Sequence, residues 1–354
     1  MFKGCYTALI TPFLENNPDS AIDWQGLRKL IDFQISQGVS GILGTGTTSE
    51  SPTLNWLDHN LIISTICERT KGNCQFIAGT GSNNTEETLK GTEQAVRDGT
   101  EAILLVDPYY NGPSSLEIRK EYITPVAEKF PELQIIPYII PGRTGTQLLA
   151  EDLAILHNKY PNVRAVKEAT GENALENAAR IRECCGEEFD ILSGDDDKTF
   201  SMMADQRIKA SGVISVVSNV APKAVQEMTE FLLTGNTKGA EKIQESLKPL
   251  FEMVTVKTEE ETPYGKVFFK ARNPLPIKTL MNILGMPSGP CRPPLGKMTA
   301  KGLQKVISIA KKVYKEFPEI FAPVEEFFEV DIGERLNKGK YWQDLCYKGT
   351  YSEP

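Results

Sequence analysis

Val163-Arg164-Ala165-Val166-Lys167-Glu168-Ala169-Thr170-Gly171 is the stretch from which the rest of the chain can be read. An apolar run of strand character ends in a lysine and passes straight into small and polar turn residues. Side chains alternate faces along a strand, so Val163, Ala165 and Lys167 share one face. If that face is the inside of a barrel, burial disfavours the ammonium and lowers its pKa. A neutral amine there can condense with a ketone as a Schiff base. A lone lysine at a strand end is more often an ordinary solvated one, so its company decides.

Outward from this stretch, short apolar runs alternate with amphipathic ones. The strands expected are Tyr6 to Ile10, Val39 to Leu43, Gln75 to Ala78, Ala102 to Val106, Gln134 to Ile140, Val163 to Lys167, Phe189 to Leu192 and Gly212 to Val217. Helical patterns lie between them: Leu27, Leu30, Ile31 and Ile35 stopped by Gly38, then Leu149, Leu153 and Leu156, then Leu175, Ala178 and Ala179. Eight βα units in series predict an α/β chain folded as a (β/α)₈ TIM barrel. Its active site would lie on the loops after the strands' C-terminal ends. After strand eight the chain reads as purely helical, with Val225, Met228 and Leu232 on one face, Leu303, Val306, Ile307, Ala310 and Val313 on another, and a loop-like Pro274 to Pro294 between them. From Phe317 to Pro354 no period is evident. The expected divisions are a catalytic barrel over 1–222, a C-terminal helical subdomain over 223–316, and an appendage of unknown role over 317–354.

Composition narrows the function classes. The chain has 354 residues, 40% of them hydrophobic, enough for an ample core. A formal charge of -8 argues against nucleic acid or an anionic membrane as the main partner, and an anionic substrate would need local positive groups. Apolar runs such as Ala102 to Val106 are far shorter than the roughly 20 residues a bilayer requires. The Met1 to Phe13 segment, broken by Pro12, reads as mature structure rather than a signal. Seven cysteines, an odd number without a CxxC pair, suggest free thiols in a reducing, cytoplasmic setting. With only His59 and His157, no histidine-built metal site is expected.

The polar residues fall where a barrel needs them. After strand two, Gly44-Thr45-Gly46-Thr47-Thr48-Ser49-Glu50 offers backbone N–H groups and hydroxyls to a carboxylate. After strand four comes Asp107-Pro108-Tyr109-Tyr110-Asn111-Gly112-Pro113, and strand five carries Tyr138 before Pro141-Gly142-Arg143-Thr144-Gly145. Singly, each has a plain reading as a turn, a core tyrosine or a solvated arginine. Together they suit one arrangement, in which hydroxyls relay a proton to a Schiff-base lysine while the arginine grips a carboxylate.

At this point the sequence closely resembles the dihydrodipicolinate synthase and N-acetylneuraminate lyase superfamily of lysine-dependent, class I aldolases. The resemblance covers Met1 to about Thr299. It is carried by Phe2-Lys3-Gly4 with Leu9-Ile10-Thr11-Pro12, Gly46-Thr47-Thr48 with Glu50, Ala78-Gly79-Thr80-Gly81, Pro108-Tyr109-Tyr110-Asn111, Tyr138 with Pro141 and Arg143-Thr144-Gly145, Val166-Lys167-Glu168-Ala169, Ser193-Gly194-Asp195-Asp196, and Gly212-Val213-Ile214-Ser215-Val216. Arg143 and Tyr110 favour the synthase branch. The resemblance implies that Lys167 forms an imine with pyruvate and needs no cofactor or metal. It implies that Thr47, Thr48, Gly194 and the carbonyl of Ile214 surround the bound pyruvate. Tyr138, Thr47 and a partner subunit's Tyr110 would move protons, and Arg143 would pair with the carboxylate of aspartate semialdehyde. The active form would be a homodimer or homotetramer.

The resemblance also implies a lysine-feedback site at Ser51, Trp56, His59, Asn83, Glu87 and Tyr109. Two positions depart from the family pattern. Ser49 replaces a glycine, which would strain the loop or re-aim Glu50 if φ must be positive there. Ile139 stands where an asparagine usually follows the strand-five tyrosine. The alternatives are another pyruvate-dependent aldolase acting on a sugar acid, or a non-catalytic descendant that binds a metabolite or a protein.

Overall fold

In a computed structural model, residues 1–15, 21–349 and 351 are described. Eight parallel strands close into a barrel: β1 (Gly4–Ala8), β2 (Gly41–Gly44), β3 (Gln75–Gly79), β4 (Ala102–Val106), β5 (Gln134–Ile139), β6 (Ala165–Glu168), β7 (Asp190–Ser193) and β8 (Gly212–Ser215). Closure comes from β8 pairing back onto β1, with Gly4 against Gly212 and Thr7 against Ser215. The seam admits no side chain at Gly212, where a Cβ would sit 2.0 Å from the Gly4 carbonyl oxygen.

Alternation along the strands makes two cores. Tyr6, Leu43, Ile77, Leu104, Ile136, Tyr138, Ala165, Leu192 and Ile214 fill the barrel. Their neighbours Ile42, Ala78, Ile103, Ile135, Ile139, Val166, Ile191 and Val213 pack outward against the helices. Ile139 therefore belongs to the helix-facing layer and does not reach the cavity of Tyr138. Val163 corrects the expected alternation. It bridges only Ile135 and packs in the outer layer, because β6 begins at Ala165 after the Pro161-Asn162 turn. Ala165 and Lys167 share a face as expected, and Val163 does not.

Beyond the barrel, the expectation of a purely helical region is also corrected. Between the helices Thr237–Met253 and Leu275–Leu284 lies an antiparallel hairpin, β9 (Thr255–Thr262) and β10 (Gly265–Arg272). Helix Leu275–Leu284 also occupies part of the segment expected to be loop. In the hairpin Val256, Glu260 and Ala271 are buried, while Phe268 and Tyr264 are exposed. Helix Ala300–Glu316 follows, capped by Thr299, whose side chain accepts from the Gly302 amide.

The residues from Pro318 form short helices lying on the barrel's helical layer. Phe321, Val324, Phe328, Ile332 and Leu336 join the main apolar cluster. Phe327 packs tilted and Phe328 edge-on against Phe33, with ring centres 5.2 and 5.1 Å away. Arg335 donates to the carbonyls of Ile283 and Asn282, closing the C-terminal end of helix Leu275–Leu284. Residues 350 and 352–354 of the expected appendage lie outside the described residues.

Candidate active site

Lys167 is the penultimate residue of β6 and lies inside the barrel, paired in register with Tyr138 of β5 and Leu192 of β7. Its ammonium lies 4.1 Å from the centre of the Tyr138 ring, and among the described residues no carboxylate is in ion-pair contact with it. Burial lowers its pKa to about 8; Asp195 and Asp196 pull it back up, while Arg143 pushes it down. Room for the side chain depends on Gly194, where a Cβ would come within 3.1 Å of Lys167 Cε and 2.8 Å of Ala169. Tyr138 is buried and shares the cavity wall with Thr47 and Arg143. Burial raises the phenol's pKa and the Arg143 charge opposes the rise.

The threonine loop is shaped by two left-handed residues, Thr45 (φ 52°) and Glu50 (φ 62°). Ser49 is not one of them, so the expected strain at Ser49 is absent. Its hydroxyl donates to the Leu9 carbonyl at 2.5 Å and its own carbonyl accepts from Thr11 at 2.9 Å. Glu50 turns inward and meets Lys278 Nζ at 2.6 Å, both side chains being essentially inaccessible. Lys278 completes its donors on the carbonyls of Thr11 and Pro290, and the second Glu50 oxygen accepts from the Arg292 amide at 2.8 Å. Thr48 is held by Asn273, whose Nδ2 donates to its Oγ1 at 2.9 Å.

Thr47, Thr48, Tyr138, Arg143, Lys167 and Gly194 line one cavity of about 600 Å³. Ile214 lies in the barrel interior beneath them and does not line it. Arg143 sits in a single helical turn, Pro141–Thr144, and its Nη2 donates to the Asn273 carbonyl at 3.0 Å. The guanidinium is open to the cavity but crowded by protein, and burial followed by the Arg272 charge holds its pKa down against the opposing pull of Tyr138 and Asp195. Tyr110 is not brought into the site within one chain. It is 94% exposed and carries a left-handed backbone, φ 86°.

Of the residues expected to bind lysine, Ser51 and Tyr109 line a smaller neighbouring cavity of about 220 Å³ that shares Thr47 and Tyr138. Asn83 accepts from the Tyr109 amide and Glu87 accepts from Ser82. Trp56 and His59 pack against each other at a tilt of 60° with ring centres 4.7 Å apart and line neither cavity. Burial holds the His59 imidazole neutral, with a pKa lowered to about 4. Sequence reasoning missed Asn273, Lys278 and the hairpin's Lys257, Lys270 and Arg272; of these, all but Lys278 line the larger cavity. The signal available for the hairpin was the alternation Val267, Phe269, Ala271 after Pro263-Tyr264-Gly265.

Residues 1–313 match the family model described as the dihydrodipicolinate synthetase family. The chain belongs to this family. A relative named 4-hydroxy-tetrahydrodipicolinate synthase, from Methanococcus maripaludis, is 38% identical over 304 residues, which are 86% of this chain and 96% of the relative. The crystal structure of dihydrodipicolinate synthase from Aquifex aeolicus aligns with a TM-score of 0.79 at 34% identity, covering 91% of this chain and all of the other. That of the enzyme from Cyanidioschyzon merolae, solved with lysine bound, aligns with a TM-score of 0.79 at 33% identity over 88% of this chain and 98% of the other. The family match stops near the end of helix Ala300–Glu316, so the packed tail lies beyond it. No helix among the described residues is long and apolar enough to cross a membrane.

Proposed function

We propose that this chain is a 4-hydroxy-tetrahydrodipicolinate synthase, a lyase that condenses pyruvate with aspartate 4-semialdehyde at the entry to diaminopimelate and lysine biosynthesis. The observation that carries the reading is a buried lysine, free of a carboxylate partner among the described residues, standing beside a tyrosine at the C-terminal mouth of a barrel of this family.

Neutral Lys167 attacks the ketone carbon of pyruvate, and water leaves as the imine forms. Thr47 and Thr48 hold the pyruvate carboxylate, and Gly194 shapes the space around it. The iminium acidifies the methyl group; Tyr138, with Thr47 on the same cavity wall, moves the protons, and Tyr110 of the partner subunit carries them to solvent. The enamine attacks the aldehyde while Arg143 takes the second substrate's carboxylate. The substrate's own amine then displaces Lys167 and closes the ring. No cofactor enters this scheme.

Assembly as a homodimer or homotetramer, a cytoplasmic location suited to seven free cysteines, and feedback by lysine near Ser51 and Tyr109 belong to the same reading. The lysine-bound relative supports the last of these.

Borohydride reduction in the presence of pyruvate, followed by peptide mass spectrometry, tests the proposal. Labelling is expected on Lys167 and is expected to vanish in Lys167→Ala. Labelling of another lysine, or its persistence in the variant, overturns it. Arg143→Ala should weaken use of the aldehyde by about ten- to a hundredfold in kcat/KM, the range of a lost charge-assisted bond, and leave pyruvate labelling intact.

A further inference from the structure

One wall of the catalytic cavity is the hairpin, and that wall is cationic. Lys257, Lys270 and Arg272 line the cavity together with Arg143. Lys257 stands directly opposite Lys270 in the antiparallel register, and Arg272 comes two residues after Lys270, so all three leave the same face of the hairpin. Like charges opposed across a strand pair are unfavourable. The hairpin's acids do not relieve them. Glu259 and Glu261 on that face serve Lys266 nearer the tip, and Glu260 meets Lys301. Among the described residues Lys257, Lys270 and Arg272 have no carboxylate partner.

The placement is held by reciprocal bonds at the hairpin's base. Arg272 Nη1 donates to the Gly142 carbonyl at 3.1 Å, and Arg143 Nη2 donates to the Asn273 carbonyl at 3.0 Å. Two arginines are thereby brought side by side over the same space. Their repulsion is felt by the neighbours: the Lys270 pKa is lowered by Arg272 first, then by desolvation, Lys257 and Arg143. The cavity's acids come from the loops after β6 and β7, as Glu172, Asp195 and Asp197, and Asp197 is already paired with Lys198. Four cations facing a cavity, none of them ion-paired among the described residues, are most stable with an anion among them.

We propose that the hairpin completes the acceptor subsite: Arg272 acts with Arg143 as a two-arginine clamp on the anionic end of the aldehyde, and Lys257 and Lys270 extend the positive wall. Two guanidinium forks supply more directed donors than one, so acceptors with more negative charge at that end are favoured. This rests on the imine-aldolase reading. It adds residues that set acceptor specificity.

The test uses the full-length protein at saturating pyruvate, with Arg272→Gln, the pair Lys257→Gln and Lys270→Gln, and Arg272→Lys. Inhibition competitive with the aldehyde is measured for succinate and for its monoamide, which differ by one charge, and KM for aspartate semialdehyde is followed against added KCl. Wild-type protein should prefer succinate. Arg272→Gln should raise the aldehyde KM by about ten- to a hundredfold, abolish the preference and flatten the salt dependence, with Arg272→Lys between the two. Borohydride labelling of Lys167 reports the imine separately. An unchanged aldehyde KM and an unchanged succinate preference in variants that still label overturn the clamp. Failure of wild-type protein to label overturns instead the imine reading beneath it.

Discussion

At the scale of single residues, the chemistry turns on how the barrel treats one amine. An ordinary lysine near pKa 10.4 is neutral in roughly one molecule in two to three thousand at pH 7, whereas one near 8 is neutral in roughly one in ten. Burial brings Lys167 into the second regime. The rate of pyruvate trapping should therefore rise with pH and level off above about 8. Because the Asp195 charge favours the ammonium, Asp195→Asn should move that inflection to lower pH, which the pH profile of borohydride labelling measures. Tyr138→Phe removes only a hydroxyl from a buried ring, so the fold should persist by circular dichroism while turnover falls by about 10² to 10⁴. Retained turnover in that variant would take the proton relay away from Tyr138.

At the scale of elements, the threonine loop is anchored from far away in sequence. Glu50 and Lys278 form a fully buried pair across 228 residues of chain, and neither has water to fall back on. Lys278→Met should leave Glu50 with one backbone donor and destabilise the protein by about 3 to 5 kcal/mol, read from the urea midpoint. A shift much smaller than this would mean that the loop relaxes around the lost partner. This anchor also marks the limit of what the sequence conveyed. Strands β1 to β8 were visible because doubly covered parallel strands are apolar runs between turn residues. Their ends were less visible, since Gly4 and Cys5 belong to β1 through pairing with Gly212 and Val213 rather than through hydrophobicity. The cluster of Lys167, Tyr138, Thr47 and Arg143 was legible because each lies at or just beyond a strand's C-terminal end. The hairpin was not, because the glutamate run Glu259-Glu260-Glu261 masks its alternation, and a partner such as Lys278 is set by tertiary packing alone.

At the scale of the whole molecule, buried acids give the fold a pH signature. Burial raises Asp107 to about 8 and Glu168 to about 7, so the folded state binds more protons than the unfolded one between about pH 4 and 8. The stability these groups contribute is present below the ordinary carboxylate range and is lost as pH rises through about 7 to 8. Asp107→Asn should flatten that decline in thermal melts, and an unaltered slope would show that Asp107 does not titrate there. Assembly is the other property of the whole. Tyr110 projects from the chain almost fully exposed, on a backbone conformation that a bulky residue rarely adopts, while the cavity holding Lys167 and Tyr138 lacks it. A strained aromatic aimed outward suits a place in a partner subunit, where aromatic residues are enriched and their hydroxyls find partners. The expected outcome is that Lys167→Ala and Tyr110→Phe subunits, each impaired alone, complement one another when allowed to exchange. In a two-fold dimer, one of the two sites in each mixed pair regains an intact lysine and an intact tyrosine, so an equal mixture should approach roughly a quarter of wild-type activity. Activity no higher than the sum of the separate variants, with exchange demonstrated by native mass spectrometry, would remove Tyr110 from the shared site and leave the Lys167 chemistry standing.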